Sequence, residues 1–261
     1  MQEKEYDVLI CGGGLAGLSL ARQIRLTLPN LSLAVIDKNE RPLPTAGFKV
    51  GESNVFFEIN DEEYILTVSS NTTGITKLFY PWKQFIKVSG TVKDFIVSPL
   101  TYYIEDIREN KDPGYINIKY QNNYPIIISA HPKPENDTRR NKVSKNLLKN
   151  TFDPVNSIVY LGFLAANSNS CNHIIKVFDG RRRFNLEFIE INKHNNEIKC
   201  KLKIKRIAGY SKKELTKHPK EGIIVLKKIS DNTNFYFPTE VKIPLTIGSF
   251  YVKLSKNYVL H

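Results

Sequence analysis

From residue 55 to residue 254 the chain is a succession of short segments in which apolar and polar residues alternate, separated by Asn, Asp, Gly or Pro. No other feature restricts the fold as much. KCKLKIKRI, residues 199–207, is the clearest case: a period of two is that of a strand with one apolar and one wet face. Comparable segments fall at 55–59, 64–69, 75–79, 85–97, 102–107, 115–120 and 126–129. After a helical interval they resume at 174–178, 183–191, 198–207, 223–229, 235–243 and 250–254. Short strands at close spacing with polar turns predict a curved antiparallel sheet, barrel-like or a sandwich.

Two local signals punctuate this pattern. Asp179-Gly180 stands between KVF and RRRFNLEF, the dipeptide of a two-residue hairpin turn in which both central residues take positive φ. Asp153-Pro154 precedes VNSIVYLGFLAAN, where Asp can cap a helix and Pro suits its first turn; this predicts one helix near 153–166.

The opening residues follow another rule. An apolar run at 8–11, helical spacing over 15–28 and a second apolar run at 31–36 make one truncated Rossmann-type βαβ unit. Gly12, Gly14 and Gly17 form G-x-G-x-x-G at its first turn. Gly12 allows the tight turn, Gly14 lets a pyrophosphate approach the backbone, and Gly17 lets helix and strand pack closely. The helix start then presents free N–H groups to phosphate. Asp37, 20 residues after Gly17, is placed to accept from a ribose hydroxyl.

DVLICGGGLAGLSLARQI, followed by AVIDK and FKVGES, resembles the amino terminus of FAD-dependent oxidoreductases of the tryptophan-halogenase-like group. The resemblance covers residues 1–53. It implies FAD as cofactor, with Gly12, Gly14, Gly17 and Asp37 at the adenosine-diphosphate site and Gly51 and Glu52 in a flavin-proximal loop. The later Gly-Asp segment of such flavoproteins has no counterpart here, and Trp82, the only tryptophan, is not in a W-x-W-x-I-P signature. A flavin has to be held along its length and its ring aimed at substrate. The expectation is therefore an incomplete grip, with FAD implied by the motif but not functionally bound. Two parallel strands and one helix also leave a sheet face and both edges open, so residues 1–45 are expected to fold poorly alone.

AGFKVGESNVFFEINDEEYILTVSSNTTGITKLFYPW, TFDPVNSIVYLG, IKVFDGRRRFNL, RIAGYSKKEL and FPTEVKIPLTIGSF resemble, in order, the bacterial family called domain of unknown function 3108, over residues 46–254. That resemblance implies a periplasmic or secreted envelope protein with a curved antiparallel β fold and no established chemistry. FKVGES belongs to both resemblances, so the chain reads as a chimera joined there: residues 1–45 a partial dinucleotide-binding segment, residues 46–261 an antiparallel β domain.

Charge and composition change at the same place. The net charge is +12, yet residues 1–53 carry six basic and six acidic side chains, so the whole excess follows Ser53. Asparagine rises from two residues before that point to 22 after it. A basic balance can serve nucleic acid or an anionic membrane, but lysines alternating with apolar residues, without a recognised nucleic-acid motif, point to a wet sheet face. No apolar stretch is long enough for a transmembrane helix. MQEKEYD lacks the parts of an export signal, an expectation of cytoplasmic residence that competes with the periplasmic one implied by the second family.

Candidate chemistry is sparse. His131, His173, His194, His218 and His261 show no i, i+4 pairing for a metal and sit in probable loops, and no G-x-S-x-G elbow is present, so no catalytic or metal-binding residue is assigned. Cys11 ends an apolar strand. Cys171 and Cys200 could be joined in an oxidising compartment and stay reduced elsewhere. Asp179 beside Arg181, Arg182 and Arg183 can be an anion site or a hairpin turn followed by a solvated strand edge. Tyr102, Tyr103, Tyr115, Tyr120 and Tyr124, with Phe79 and Trp82, can line an apolar cavity or fill the core. The reading that follows is a non-enzymatic envelope-type β domain with a hydrophobic or cell-envelope ligand; the alternative is an FAD-dependent oxidoreductase.

Overall fold

The period-two alternation is realised in two antiparallel sheets of six strands each, seen in a computed structural model. It describes residues 7–11, 20, 23–24, 27–28, 30–36, 49–60, 62–74, 77, 80–109, 111–217, 220–228, 234–244 and 249–254. The chain divides into two units, Met1–Lys49 and Val50–His261.

In the first unit, β1 (Val8–Cys11) and β2 (Leu33–Ile36) pair in parallel with Val8 opposite Leu33 and Cys11 opposite Ile36. At the head of the pair the Asp7 carboxylate accepts from the Ser32 amide (2.8 Å) and hydroxyl (2.6 Å), which holds that carboxyl below its ordinary pKa. The described residues contain this pair and no complete βαβ unit.

In the second unit the strands follow one another as two meanders. The first sheet is β3 (Gly51–Asn60), β4 (Glu63–Thr72), β5 (Trp82–Lys93), β6 (Ile96–Arg108), β7 (Gly114–Gln121) and β8 (Tyr124–His131), in that spatial order. The second is β9 (Ile174–Phe178), β10 (Arg183–His194), β11 (Glu197–Ala208), β12 (Glu221–Lys227), β13 (Phe237–Pro244) and β14 (Ser249–Lys253). Helix α1 (Pro154–Ser168) joins them, and a short α2 (Lys212–Lys217) lies between β11 and β12. Among the described residues neither sheet closes, so the barrel expectation gives way to a layered arrangement. The reason is α1, which packs on β5 and β6 with one side and on β9 and β13 with the other.

A helix that meets a sheet on either side must be apolar around its circumference. Val159 and Phe163 enter the core of the first sheet with Val88, Tyr102 and Ile118; Leu161 and Ala165 enter that of the second with Ile175, Ile198 and Leu226. Gly162 sits mid-helix, where glycine costs about 1 kcal/mol relative to alanine. A Cβ there would lie 2.4 Å from the Phe235 ring, so the missing methyl is what admits that ring. Phe235 in turn stacks edge-on against Phe163 and Phe237 at 4.8 and 4.6 Å between centroids.

Three sequence expectations shift. Residues 85–97 are two strands, not one: the chain reverses at Asp94 and Phe95, both at positive φ (49° and 65°), and Phe95 is tolerated there because its ring packs onto the first core. The 75–79 segment lies mostly outside the described residues, and its described member Lys77 is helical. The hairpin at Asp179-Gly180 exists, but Phe178 pairs with Arg183, so its loop spans residues 179–182 rather than two residues. The Asp179 carboxylate accepts from the amides of Arg181 (3.0 Å) and Arg182 (2.7 Å), which widens the turn, and only Gly180 takes positive φ.

Cys171, just ahead of β9, is bonded to Cys200 on β11 with Cα atoms 6.5 Å apart, and both are fully buried in the second core. No helix among the described residues is long and apolar enough to cross a membrane.

Candidate functional site

Alternation decides which side chains of the first sheet look inward. On β5 these are Gln84, Ile86 and Val88, and on β6 Tyr102, Ile104 and Asp106, as the pairing of Val88 with Tyr102, Ile86 with Ile104 and Gln84 with Asp106 requires. Helix α1 covers the Val88 and Tyr102 end through Val159 and Phe163. It stops short of the other end, where a cleft of about 790 Å3 opens over Ile86, Ile104 and Ile116, with Tyr102 and Val155 at the edge of the covered part.

The wall opposite the floor is polar and comes from three separate pieces of chain: residues 132–140 after β8, the 179–182 turn, and α2. Glu214 links them. Ser211 and Glu214 form a capping box at the start of α2: the Ser211 amide and hydroxyl both donate to Glu214 Oε2 at 2.9 Å, and the Glu214 amide donates to Ser211 Oγ at 3.3 Å. The same carboxylate receives the Arg140 guanidinium and lies 3.5 Å from Arg182 Nη1. Burial works to raise the Glu214 pKa, but the Arg140 and Ser211 donors outweigh it and hold the carboxyl at about 2. Arg140 also meets Asp137, Arg139 donates to Asp137 at 2.8 and 2.9 Å, and Arg182 Nε donates to Asp179 at 2.7 Å. The Arg139 hydrogen bond, with Arg140 nearby, keeps Asp137 well below the usual carboxylate range.

The 179–182 turn is fixed to the cleft floor. Gly180, at φ +89°, lies against Ile116, and a Cβ there would fall 2.8 Å from its Cγ2. Arg181 follows immediately. Its Nη2 donates to the carbonyl of Pro132, and among the described residues no carboxylate lies within ion-pairing distance of it.

Beneath the covered end lies a buried polar hub. Asp153, with no exposed surface, caps α1 by accepting from the amides of Val155 (3.0 Å) and Asn156 (2.9 Å). Its second oxygen accepts from Asn156 Nδ2 (2.5 Å) and the Tyr120 hydroxyl (3.1 Å). Asn156 extends the hub across the sheet, accepting from the Tyr64 hydroxyl at 2.6 Å and donating to the Thr101 carbonyl at 3.2 Å. Burial raises the Asp153 pKa to about 6 in spite of those donors. Burial, followed by the Asp153 charge, also pushes Tyr102 and Tyr120 well above the ordinary phenol range.

The residues singled out in the sequence separate accordingly. Gly12, Gly14, Gly17 and Asp37 lie outside the described residues, as do His218, His261 and Phe79. Gly51 and Glu52 are not in a loop: they belong to β3, opposite Thr72 and Asn71, and a Cβ on Gly51 would come 2.7 Å from the Asn71 carbonyl. Residues engaged in a ladder this way do not fit a flavin-proximal loop. Of the aromatics, Tyr102 and Tyr115 reach the cleft. Tyr103 faces away beside Phe85 (6.3 Å), Tyr120 serves Asp153, and Trp82 Nε1 donates to Asp106 at 3.1 Å. His131, expected in a solvated loop, ends β8 in the cleft lining and stacks on Tyr115.

The arginine triplet is no solvated strand edge. β10 lies between β9 and β11, Asp179 is 8% exposed, and Arg183 is 4% exposed with its Nε donating to the Leu147 carbonyl at 3.0 Å. Sequence reasoning missed Asp137, Arg139, Arg140 and Glu214. The spacing of Ser211 and Glu214 was the one local signal available.

A family model described as "Protein of unknown function (DUF3108)" matches residues 41–255. A flavin-dependent halogenase, chlA, of Dictyostelium discoideum is 34% identical over 101 residues, which covers 34% of this chain and 16% of the halogenase. No solved structure matches.

Proposed function

Since the chain belongs to the family described as Protein of unknown function (DUF3108), we propose that its β unit is a non-enzymatic binding domain of the cell-envelope type that takes a ligand with an apolar body. One observation carries this reading: the inner face of the first sheet is left uncovered beyond α1, giving a cleft of about 790 Å3 floored by Ile86, Ile104 and Ile116. Ligand sites of drug-sized molecules are of this size, and here an apolar floor faces a wall rich in charged side chains. The Cys171–Cys200 bond supports work in an oxidising compartment such as the periplasm, where such bridges persist. The test is titration of the protein with the uncharged apolar probe N-phenyl-1-naphthylamine. Saturable fluorescence enhancement that Ile104→Glu abolishes, with the far-UV circular dichroism preserved, supports the cleft; no enhancement, or equal enhancement in the variant, defeats it.

A second reading concerns the first unit, in which the glycine motif would have Gly12, Gly14, Gly17 and Asp37 hold the adenosine-diphosphate end of FAD; a partial likeness to a flavin-dependent halogenase elsewhere among known proteins is in keeping with it. The β-ladder position of Gly51 weighs against a working flavin site, so the motif is read as a remnant joined to the β unit. Purified protein that is yellow and retains stoichiometric FAD through gel filtration would reverse this reading; a colourless protein that ignores added FAD supports it. Sequencing the native transcript tests the junction: a continuous message across residues 46–53 establishes a natural fusion.

A further inference from the structure

We infer that the cleft takes a ligand bearing a single negative charge, an oxyanion head on an apolar body, with Arg181 as the residue that receives the head. This deepens the cleft reading and rests on it.

The charge count of the polar wall is the first ground. Arg139, Arg140, Arg181 and Arg182 face Asp137, Asp179 and Glu214, and every carboxylate of the three is engaged by an arginine other than Arg181. Across the cleft Asp106 and Arg108, both on β6, offset each other in charge. One positive charge remains, and it is Arg181, whose guanidinium meets only the Pro132 carbonyl among the described residues. A guanidinium presents five N–H donors in a planar fork suited to carboxylate or phosphate.

The second ground is position. Arg181 is half-buried and lines two cavities at once: the cleft, and a smaller one of about 230 Å3 whose wall mixes Ile127, Val143, Leu148 and Phe178 with Glu135 and Lys142. A guanidinium half-buried between two cavities loses solvation, and burial together with the nearby Arg140 charge lowers the Arg181 pKa, outweighing the Asp137 and Asp179 charges that act to raise it. An anion at that point relieves both effects. The third ground is preorganisation. Gly180 is seated on Ile116, and the Asp179 carboxylate holds the Arg181 amide at 3.0 Å, so the backbone that carries the guanidinium is fixed from both sides before any ligand arrives.

The experiment uses the full chain and cis-parinaric acid, a fluorescent fatty carboxylate, beside its uncharged methyl ester. The acid should bind wild type about tenfold or more tightly than the ester, as one charge-assisted hydrogen-bonded contact warrants. Arg181→Gln should bring the acid to the level of the ester, and Arg181→Lys should restore part of the difference, with thermal melting confirming that both variants fold. Equal binding of acid and ester to wild type, or no loss in Arg181→Gln, overturns the inference while N-phenyl-1-naphthylamine still reports an intact apolar cleft. Failure of all three probes removes the cleft reading itself. Competition then separates the two sources of the head: displacement by palmitate alone supports a free carboxylate, and displacement by lysophosphatidylglycerol alone supports a phosphodiester.

Discussion

Gly180 and Ile116 stand so close that a β-carbon on the first would lie 2.8 Å from the Cγ2 of the second, although 64 residues separate them and one is in the turn between β9 and β10 while the other is in β7 of the first sheet. This contact seats the 179–182 turn on the cleft floor and gives the polar wall its place.

Gly180→Ala is expected to destabilise the protein by about 1–3 kcal/mol, through the strained positive φ and overpacking against Ile116. Urea unfolding measures the loss. Adding Ile116→Ala makes room for the methyl, so the double variant should be more stable than the sum of the two single changes indicates. Strict additivity would show that the two residues are not in contact.

Asp153 predicts a pH dependence of unusual direction for a carboxylate. Its folded-state pKa is raised to about 6 from an ordinary 3.8, so the native state holds the proton more tightly than the unfolded chain. The stability it contributes is full below about pH 4 and is lost as pH rises through about 6, on the order of 3 kcal/mol across that window. Asn is as good a helix cap and carries no charge. Asp153→Asn should therefore gain on wild type between pH 4 and pH 7 in chemical denaturation, and parallel curves for the two proteins would refute the assignment.

Glu214 behaves in the opposite sense. Its carboxyl is held at about 2 against an ordinary 4.5, so its stabilisation is present above pH 4.5 and disappears as the pH falls toward 2. Glu214→Gln keeps the size but removes the charge that Arg140 and Arg182 share, leaving them to Asp137 and Asp179, and should flatten the acid limb of the stability curve over that window. It should also speed tryptic cleavage after Arg140 at neutral pH. An unchanged acid limb would place the anchor of the polar wall elsewhere.

Reduction of Cys171–Cys200, or the paired change to alanine, removes a bridge between residues 29 apart in the chain and should cost about 2–4 kcal/mol. Intact mass before and after reductant and alkylation shows whether the bond is present, and melting with and without reductant measures its worth. A protein of unaltered melting temperature in reductant would mean that burial alone secures this part of the core.

Sequence reading succeeded where the determinant is local and failed where it is tertiary. Asp153-Pro154 announced α1 because capping and the first-turn proline involve only neighbouring backbone. Asp179-Gly180 located a hairpin but not its length, which depends on the Asp179 carboxylate reaching the next two amides. Asp94 and Phe95 escaped notice because Phe is an unexpected residue at positive φ and is held there by the core. Tyr102 and Tyr103 are alike in composition, and strand parity sends one to the cleft and the other away from it. The polar wall was illegible: Arg140 and Glu214 are 74 residues apart, and nothing near either one names the other.

Each sheet is a meander of consecutive strands with α1 encoded between them. During synthesis, β3 to β8 leave the ribosome before the helix that shields them, so a nascent chain halted before residue 154 carries an uncovered apolar face with no partner available. Emergence of α1 covers the Val88 and Tyr102 end of that face, and Phe178 and Phe235, which follow it in the chain, complete the same core.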